Sequence, residues 1–62
     1  MTETVQGNTI RAEEISYDFS THTWEIVYSD NESDRKLFHV RRIPETATLQ
    51  EVFNILIQEL KK

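Results

Sequence analysis

Asp18, Glu25 and His39 are the side chains in this sequence whose types best suit metal binding or proton transfer. Carboxylate oxygens and imidazole nitrogens bind divalent cations, and the same groups act as general acids and bases. In the strand register developed below they form one row across a sheet, where facing Cβ atoms lie about 4.5–5.5 Å apart. An open sheet face has no cleft that excludes water. We therefore interpret the row as a solvated cluster, and keep a metal-binding or enzymatic site as a remote alternative.

A second group of oxygen donors lies in residues 30–34, Asp-Asn-Glu-Ser-Asp. Their alternation is similar to that of a calcium loop, but such loops need Gly at the sixth position and Glu at the twelfth, where this chain has Arg35 and Arg41. A phosphate-binding loop rich in glycine is excluded, because Gly7 is the single glycine. We predict an ordinary acidic turn, no catalytic residue, no bound metal and no cofactor.

Basic residues are concentrated after this turn. Residues 1–34 carry eight acidic side chains against Arg11 alone, and four cations then fall within eight positions: Arg35, Lys36, Arg41 and Arg42. Sheets that bind single-stranded nucleic acid combine such cations with aromatic side chains, so nucleic-acid binding through the basic third strand is the alternative function. A net charge of −4 and a pI of about 5.0 disfavour it.

A predicted β-hairpin positions the row of Asp18 and Glu25. Apolar and polar residues alternate on both sides of a tight reversal at Thr21-His22, which is typical of strands with one buried face. A two-residue turn there predicts the facing pairs Phe19–Trp24, Tyr17–Ile26 and Ile15–Tyr28. The aromatic face becomes the core, which leaves the polar row on the opposite face.

The flanking segments extend this hairpin on both sides. A third strand ends near Pro44, and its predicted facing pairs are Tyr28–Lys36, Ile26–Phe38 and Trp24–Val40. Towards the N-terminus, the turn residues after Val5 allow a short additional strand, and we expect residues 1–4 to be frayed. The apolar phase shifts at Glu13-Glu14, which indicates a β-bulge.

The C-terminal segment has the signals of an amphipathic helix. Thr48 suits the N-cap and Glu51 completes a capping box. One apolar face is predicted from Leu49, Val52, Phe53, Leu56 and Leu60, with Ile57 at its margin. Ile55 points away from that face, between Glu51 and Glu59, and we expect it to be exposed.

These elements predict one domain over residues 1–62, with strands at about 9–19, 23–29 and 36–43 and a helix at about 49–61. The fold class is α+β: a two-layer β-β-β-α arrangement, in which the helix covers one face of an antiparallel meander sheet. Sixty-two residues without cysteine bury a small core with no disulfide to support it. Packing, dimerisation or a partner must supply the stability.

The order of Tyr17-Asp18, the strand from Trp24 to Tyr28, and the Ile43-Pro44 step into a terminal helix resembles the small KTSC-type domains of unknown function. The resemblance implies a similar architecture. It assigns no role to any residue.

We predict a non-catalytic protein–protein interaction module, a small acidic regulator or inhibitor that acts as a homodimer or docks on a larger partner. Without a signal peptide or a membrane-spanning apolar stretch, we expect a cytoplasmic protein with no membrane partner. The candidate interaction surface comprises Arg35, Lys36, Arg41 and Arg42 on the third strand and Glu51, Ile55 and Glu59 on the helix.

Overall fold

The computed structural model describes residues 1–31, 34–41 and 43–62. The elements are β1 (Thr2–Val5), β2 (Asn8–Asp18), β3 (Thr23–Asp30), β4 (Arg35–Val40) and α1 (Leu49–Leu60). The four strands form one antiparallel sheet in the order β1-β2-β3-β4, and α1 packs on one of its faces. The predicted α+β meander with a C-terminal helix is confirmed, and the additional N-terminal strand is present.

The N-terminal residues are paired in the sheet. Thr2 lies opposite Arg11, and the N–H of Ala12 donates to the carbonyl of Met1 at 2.9 Å. Gln6 and Gly7 both have positive φ, 51° and 84°, which suits a two-residue hairpin turn that follows the twist of the strands. The prediction that residues 1–4 are frayed is therefore wrong, because this tight turn returns them to β2.

The β2–β3 hairpin differs from its predicted register. Tyr17 lies opposite Trp24 and Ile15 opposite Ile26, whereas the sequence predicted Phe19–Trp24, Tyr17–Ile26 and Ile15–Tyr28. The Asp18 carboxylate explains the difference, because it accepts hydrogen bonds from the Ser20 N–H at 2.9 Å and the Ser20 hydroxyl at 2.6 Å. This local bonding favours a wider turn, which takes up residues 19–22 and removes Phe19 from the strand.

The bulge and the next register agree with the sequence. The β2–β3 pairing shifts by one residue between Ala12 and Glu14, as the change of apolar phase indicated. Between β3 and β4 the facing pairs are as predicted: Tyr28–Lys36, Ile26–Phe38 and Trp24–Val40. Strand β4 ends at Val40, earlier than the predicted residue 43.

The core lies between the sheet and α1. Thr48 is the N-cap, as predicted, and its hydroxyl accepts the N–H of Glu51 at 3.1 Å. The buried apolar side chains are Val5, Ile10, Trp24, Ile26, Tyr28, Val40, Val52, Phe53, Leu56 and Ile57. Ile57, which was placed at the margin, is therefore fully in the core, whereas Leu49 is exposed because it begins the helix at the border of the sheet.

Trp24 fixes the segment that leads from the sheet into the helix. Its indole N–H donates to the carbonyl of Pro44 at 3.0 Å, and its ring is buried. This bond satisfies the polar atom of the largest core residue. Within the described residues, no helix has the length and apolar character needed to span a bilayer.

Candidate functional site

The polar row on the open face of the sheet contains Ser16, Glu25 and His39. Ser16 faces Glu25, which faces His39, and His39 Nε2 lies 3.3 Å from a Glu25 carboxylate oxygen. Asp18 faces Thr23 instead. The predicted convergence of Asp18 with Glu25 and His39 is therefore wrong, because the wider turn moves every β2 residue two positions along β3.

Asp18 is committed to the hairpin turn. The hydroxyl and the N–H of Ser20 both donate to its carboxylate, and these bonds lower the Asp18 pKa below its ordinary value of 3.8. Among the described residues, no group of three or more histidine, aspartate or glutamate side chains could hold a metal ion. The row therefore retains one close contact, between the Glu25 carboxylate and the His39 imidazole, with Ser16 beside Glu25.

Arg35 and Lys36, the cations at the start of β4, lie beside carboxylates of β2 and β3. Arg35 Nε lies 2.7 Å from Glu13, and Lys36 Nζ lies 3.9 Å from Asp30. His39 has the Glu25 contact described above. Arg41 is exposed, and Arg42 lies outside the described residues. This pairing lowers the positive potential that phosphate groups would require, so it weighs against the nucleic-acid alternative.

Asn31, in the acidic turn, has a structural role. The Asn31 side-chain carbonyl accepts the N–H of Thr9 at 2.7 Å, and its amide donates to the Asn8 side chain at 2.8 Å. Asn31 thereby connects the β3–β4 turn to the β1–β2 hairpin, with its own N–H bound to the Thr9 carbonyl at 2.8 Å. Glu32 and Ser33 of this turn lie outside the described residues.

The predicted helix surface is less apolar than the sequence indicated. Ile55 is half-buried rather than exposed, because it packs against the core cluster. Glu51 and Glu59 are exposed, and Glu59 pairs with Lys62 at 3.2 Å. The prominent apolar groups of the surface lie elsewhere.

Among the described residues, four large apolar side chains are exposed: Phe19 by 66%, Leu37 by 56%, Leu49 by 49% and Met1 by 45%. Met1 and Leu49 line one groove of about 180 Å³, together with Ala12, Glu13, Glu14 and Ile15. Phe19 adds apolar surface just after the C-terminal end of β2. Its ring contacts that of Tyr17 edge-on, at a centroid distance of 4.8 Å. The Leu37 side chain lies on the opposite face of the sheet, because it faces Val27 beside the Glu25–His39 pair.

The groove adjoins an open edge of the sheet. Strand β1 pairs with β2 only as far as Arg11. Residues 14–18 pair with β3 on their other side and have no strand neighbour on the β1 side among the described residues. Antiparallel strands direct their backbone groups alternately to either side. The Ala12 N–H points to β1, and the bulge shifts the phase by one, so the backbone groups of Ile15 and Tyr17 point to the open side.

Neither this groove nor this edge was predicted from the sequence. The one pattern in the sequence that could have indicated the edge is the shift of apolar phase at Glu13-Glu14. Such a shift indicates a bulge, and a bulge often lies where pairing with one neighbouring strand ends. Leu49 was assigned to the core by helical periodicity, which does not show where the sheet stops. The exposed position of Leu49 depends on the crossing of the helix over the sheet.

No protein-family model, curated protein or solved structure matches the chain. The resemblance to KTSC-type domains therefore gains no support.

Proposed function

We propose that this chain is a non-catalytic protein–protein interaction module, a small acidic regulator or inhibitor that acts on a larger partner or as a homodimer. The observation that carries the proposal is the groove at Met1 and Leu49 beside the open edge of β2. Isolated exposed apolar side chains are ordinary on protein surfaces. A groove that groups them next to unpaired backbone groups is typical of a binding surface.

The charge distribution supports a protein partner over a nucleic acid. The chain carries a net charge of −4, and Glu14 borders the groove, whereas the neighbouring Glu13 carboxylate is paired with Arg35. Carboxylates at a binding surface repel phosphate. Arg35 and Lys36 of β4, on the far edge of the sheet, have carboxylate neighbours at Glu13 and Asp30.

Affinity capture from the native host, performed with matched surface variants, tests the proposal. Leu49→Ser removes an exposed leucine from the groove, and Leu37→Ser removes an exposed leucine from the opposite face. We expect the wild-type chain and Leu37→Ser to retain the same partner and Leu49→Ser to lose it, with all three folded by circular dichroism. Sedimentation equilibrium of the wild-type chain distinguishes a homodimer from a monomer that docks on another protein. A monomer that captures no protein would contradict the proposal.

A further inference from the structure

We propose that the open edge of β2 binds an extended segment of a partner protein as an added β-strand, and that this segment alternates apolar with basic residues. The inference rests on the proposed function and specifies its ligand. The backbone groups of Ile15 and Tyr17 supply main-chain hydrogen bonds, and the groove at Leu49 receives a side chain. Strand addition of this kind takes its affinity from the backbone and its specificity from alternate side chains.

The geometry of the edge sets the apolar positions of the segment. The Ile15 and Tyr17 side chains lie half-buried on the helix face, and residues that face each other in neighbouring strands share a face of the sheet. Ligand residues opposite Ile15 and Tyr17 therefore project towards the helix face. The first meets the groove formed by Met1, Ala12 and Leu49, and the second lies beside Tyr17 near the exposed Phe19 ring.

The charges along the edge determine which residue types the ligand carries at the positions that project to the polar face. Ligand residues opposite Glu14 and Asp18 project to the polar face, where both β2 residues carry carboxylates on the same face as Ser16. Opposite charges on facing positions stabilise a strand pair, and like charges destabilise it. Lysine or arginine at these two positions complements the edge, which gives the pattern basic–apolar–polar–apolar–basic.

The same charges disfavour a second copy of this chain as the ligand. Twofold antiparallel pairing of two β2 edges with Ile15 opposite Tyr17 brings Glu14 of each copy opposite Asp18 of the other. This arrangement opposes like charges, whereas a basic strand of another protein does not.

The test is selection of a phage-displayed library of random decapeptides on the immobilised wild-type chain, followed by titration of the most enriched synthetic peptide into ¹⁵N-labelled protein. We expect enriched peptides with alternating apolar and basic residues. Saturable amide shifts should be confined to residues 12–19 and the first turn of α1, and exchange of the Ile15 and Tyr17 amides with D2O should slow on binding.

Two matched pairs of exposed substitutions test the contacts. Glu14→Lys should weaken the peptide about fivefold at low salt, as for one exposed ion pair, and Glu45→Lys, with the same change in net charge, should not. Leu49→Ser should weaken it about tenfold, and Leu37→Ser should not. All four positions are exposed, so the fold is retained.

Three outcomes would overturn the inference. If the enriched peptides shift the amides of β4 or of the outer face of α1, the strand-addition inference is wrong. The chain is then an interaction module that uses another surface. Concentration-dependent shifts of the Ile15 and Tyr17 amides without peptide identify a second copy as the ligand of this edge. An absence of enriched peptides, combined with no captured partner, contradicts the inference and the proposed function together.

Discussion

At the scale of single residues, the Asp18 carboxylate has the largest consequences. Its hydrogen bonds to Ser20 widen the β2–β3 turn, which leaves Phe19 in solvent and places Ser16, rather than Asp18, beside Glu25. A side chain that looked available for chemistry is used for a turn. Short polar residues compete for local backbone groups in this way throughout proteins.

Replacing Ser20 with alanine should raise the Asp18 pKa towards its ordinary value, because the Ser20 hydroxyl is the largest cause of the lowered pKa. A pKa that is lower in the folded chain stabilises the fold above the unfolded-state pKa, and this contribution is lost as the pH falls through the folded-state value. The destabilisation caused by Ser20→Ala should therefore shrink as the solution is acidified.

A carboxyl ¹³C NMR titration of Asp18 and urea unfolding at several pH values measure both effects. Ser16→Ala is the matched control, since Ser16 lies two residues before Asp18 on the same polar face and should leave its titration unchanged. An Asp18 titration that is identical in wild type and Ser20→Ala would contradict this explanation of the turn.

At the scale of elements, sequence signals predicted the helix well and the hairpin less well. The start of α1 follows from Thr48, whose hydroxyl accepts the Glu51 N–H, and its burial follows from the 3.6-residue period of its apolar residues. The hairpin faces were also correct, because alternation fixes the face of each residue. The register was wrong, because alternation is unchanged by a shift of two residues.

Thr48→Ala should lower the free energy of unfolding by about 0.5–2 kcal/mol, because it leaves the first turn of the helix without its side-chain acceptor. Thr48→Ser keeps the hydroxyl and should stay close to wild type. Urea unfolding followed by far-UV circular dichroism measures the two variants. Equal losses for alanine and serine would show that the methyl group, and not the cap, is responsible.

At the scale of the whole molecule, the small core gives the domain only a modest unfolding free energy. A chain of 62 residues is expected to have an unfolding free energy of about 3–9 kcal/mol. The core relies on a few fully buried side chains, the largest of which are Ile26, Leu56 and Val52. A domain of this size that nevertheless exposes Met1 and Leu49 at one groove has apolar surface available for a partner.

Leu56→Ala should cost about 2–5 kcal/mol, which is most of the expected stability. Leu49→Ala removes the same atoms from an exposed site and should cost less than about 1 kcal/mol. Equilibrium urea unfolding compares the two. A large loss for Leu49→Ala would show that Leu49 supports the fold, and would weaken its assignment to a binding groove.

The sequence by itself determined the fold class, the face of each strand residue, the bulge, the β3–β4 register and the helix cap. Each of these depends on local periodicity or on hydrogen bonds between close neighbours in the chain. The tertiary structure alone decided which residues face each other across the β2–β3 hairpin. It also decided that Leu49, and not Ile55, is the more exposed apolar residue of the helix. These features depend on how separate elements overlap in space, and residues with the same period fit several overlaps equally well.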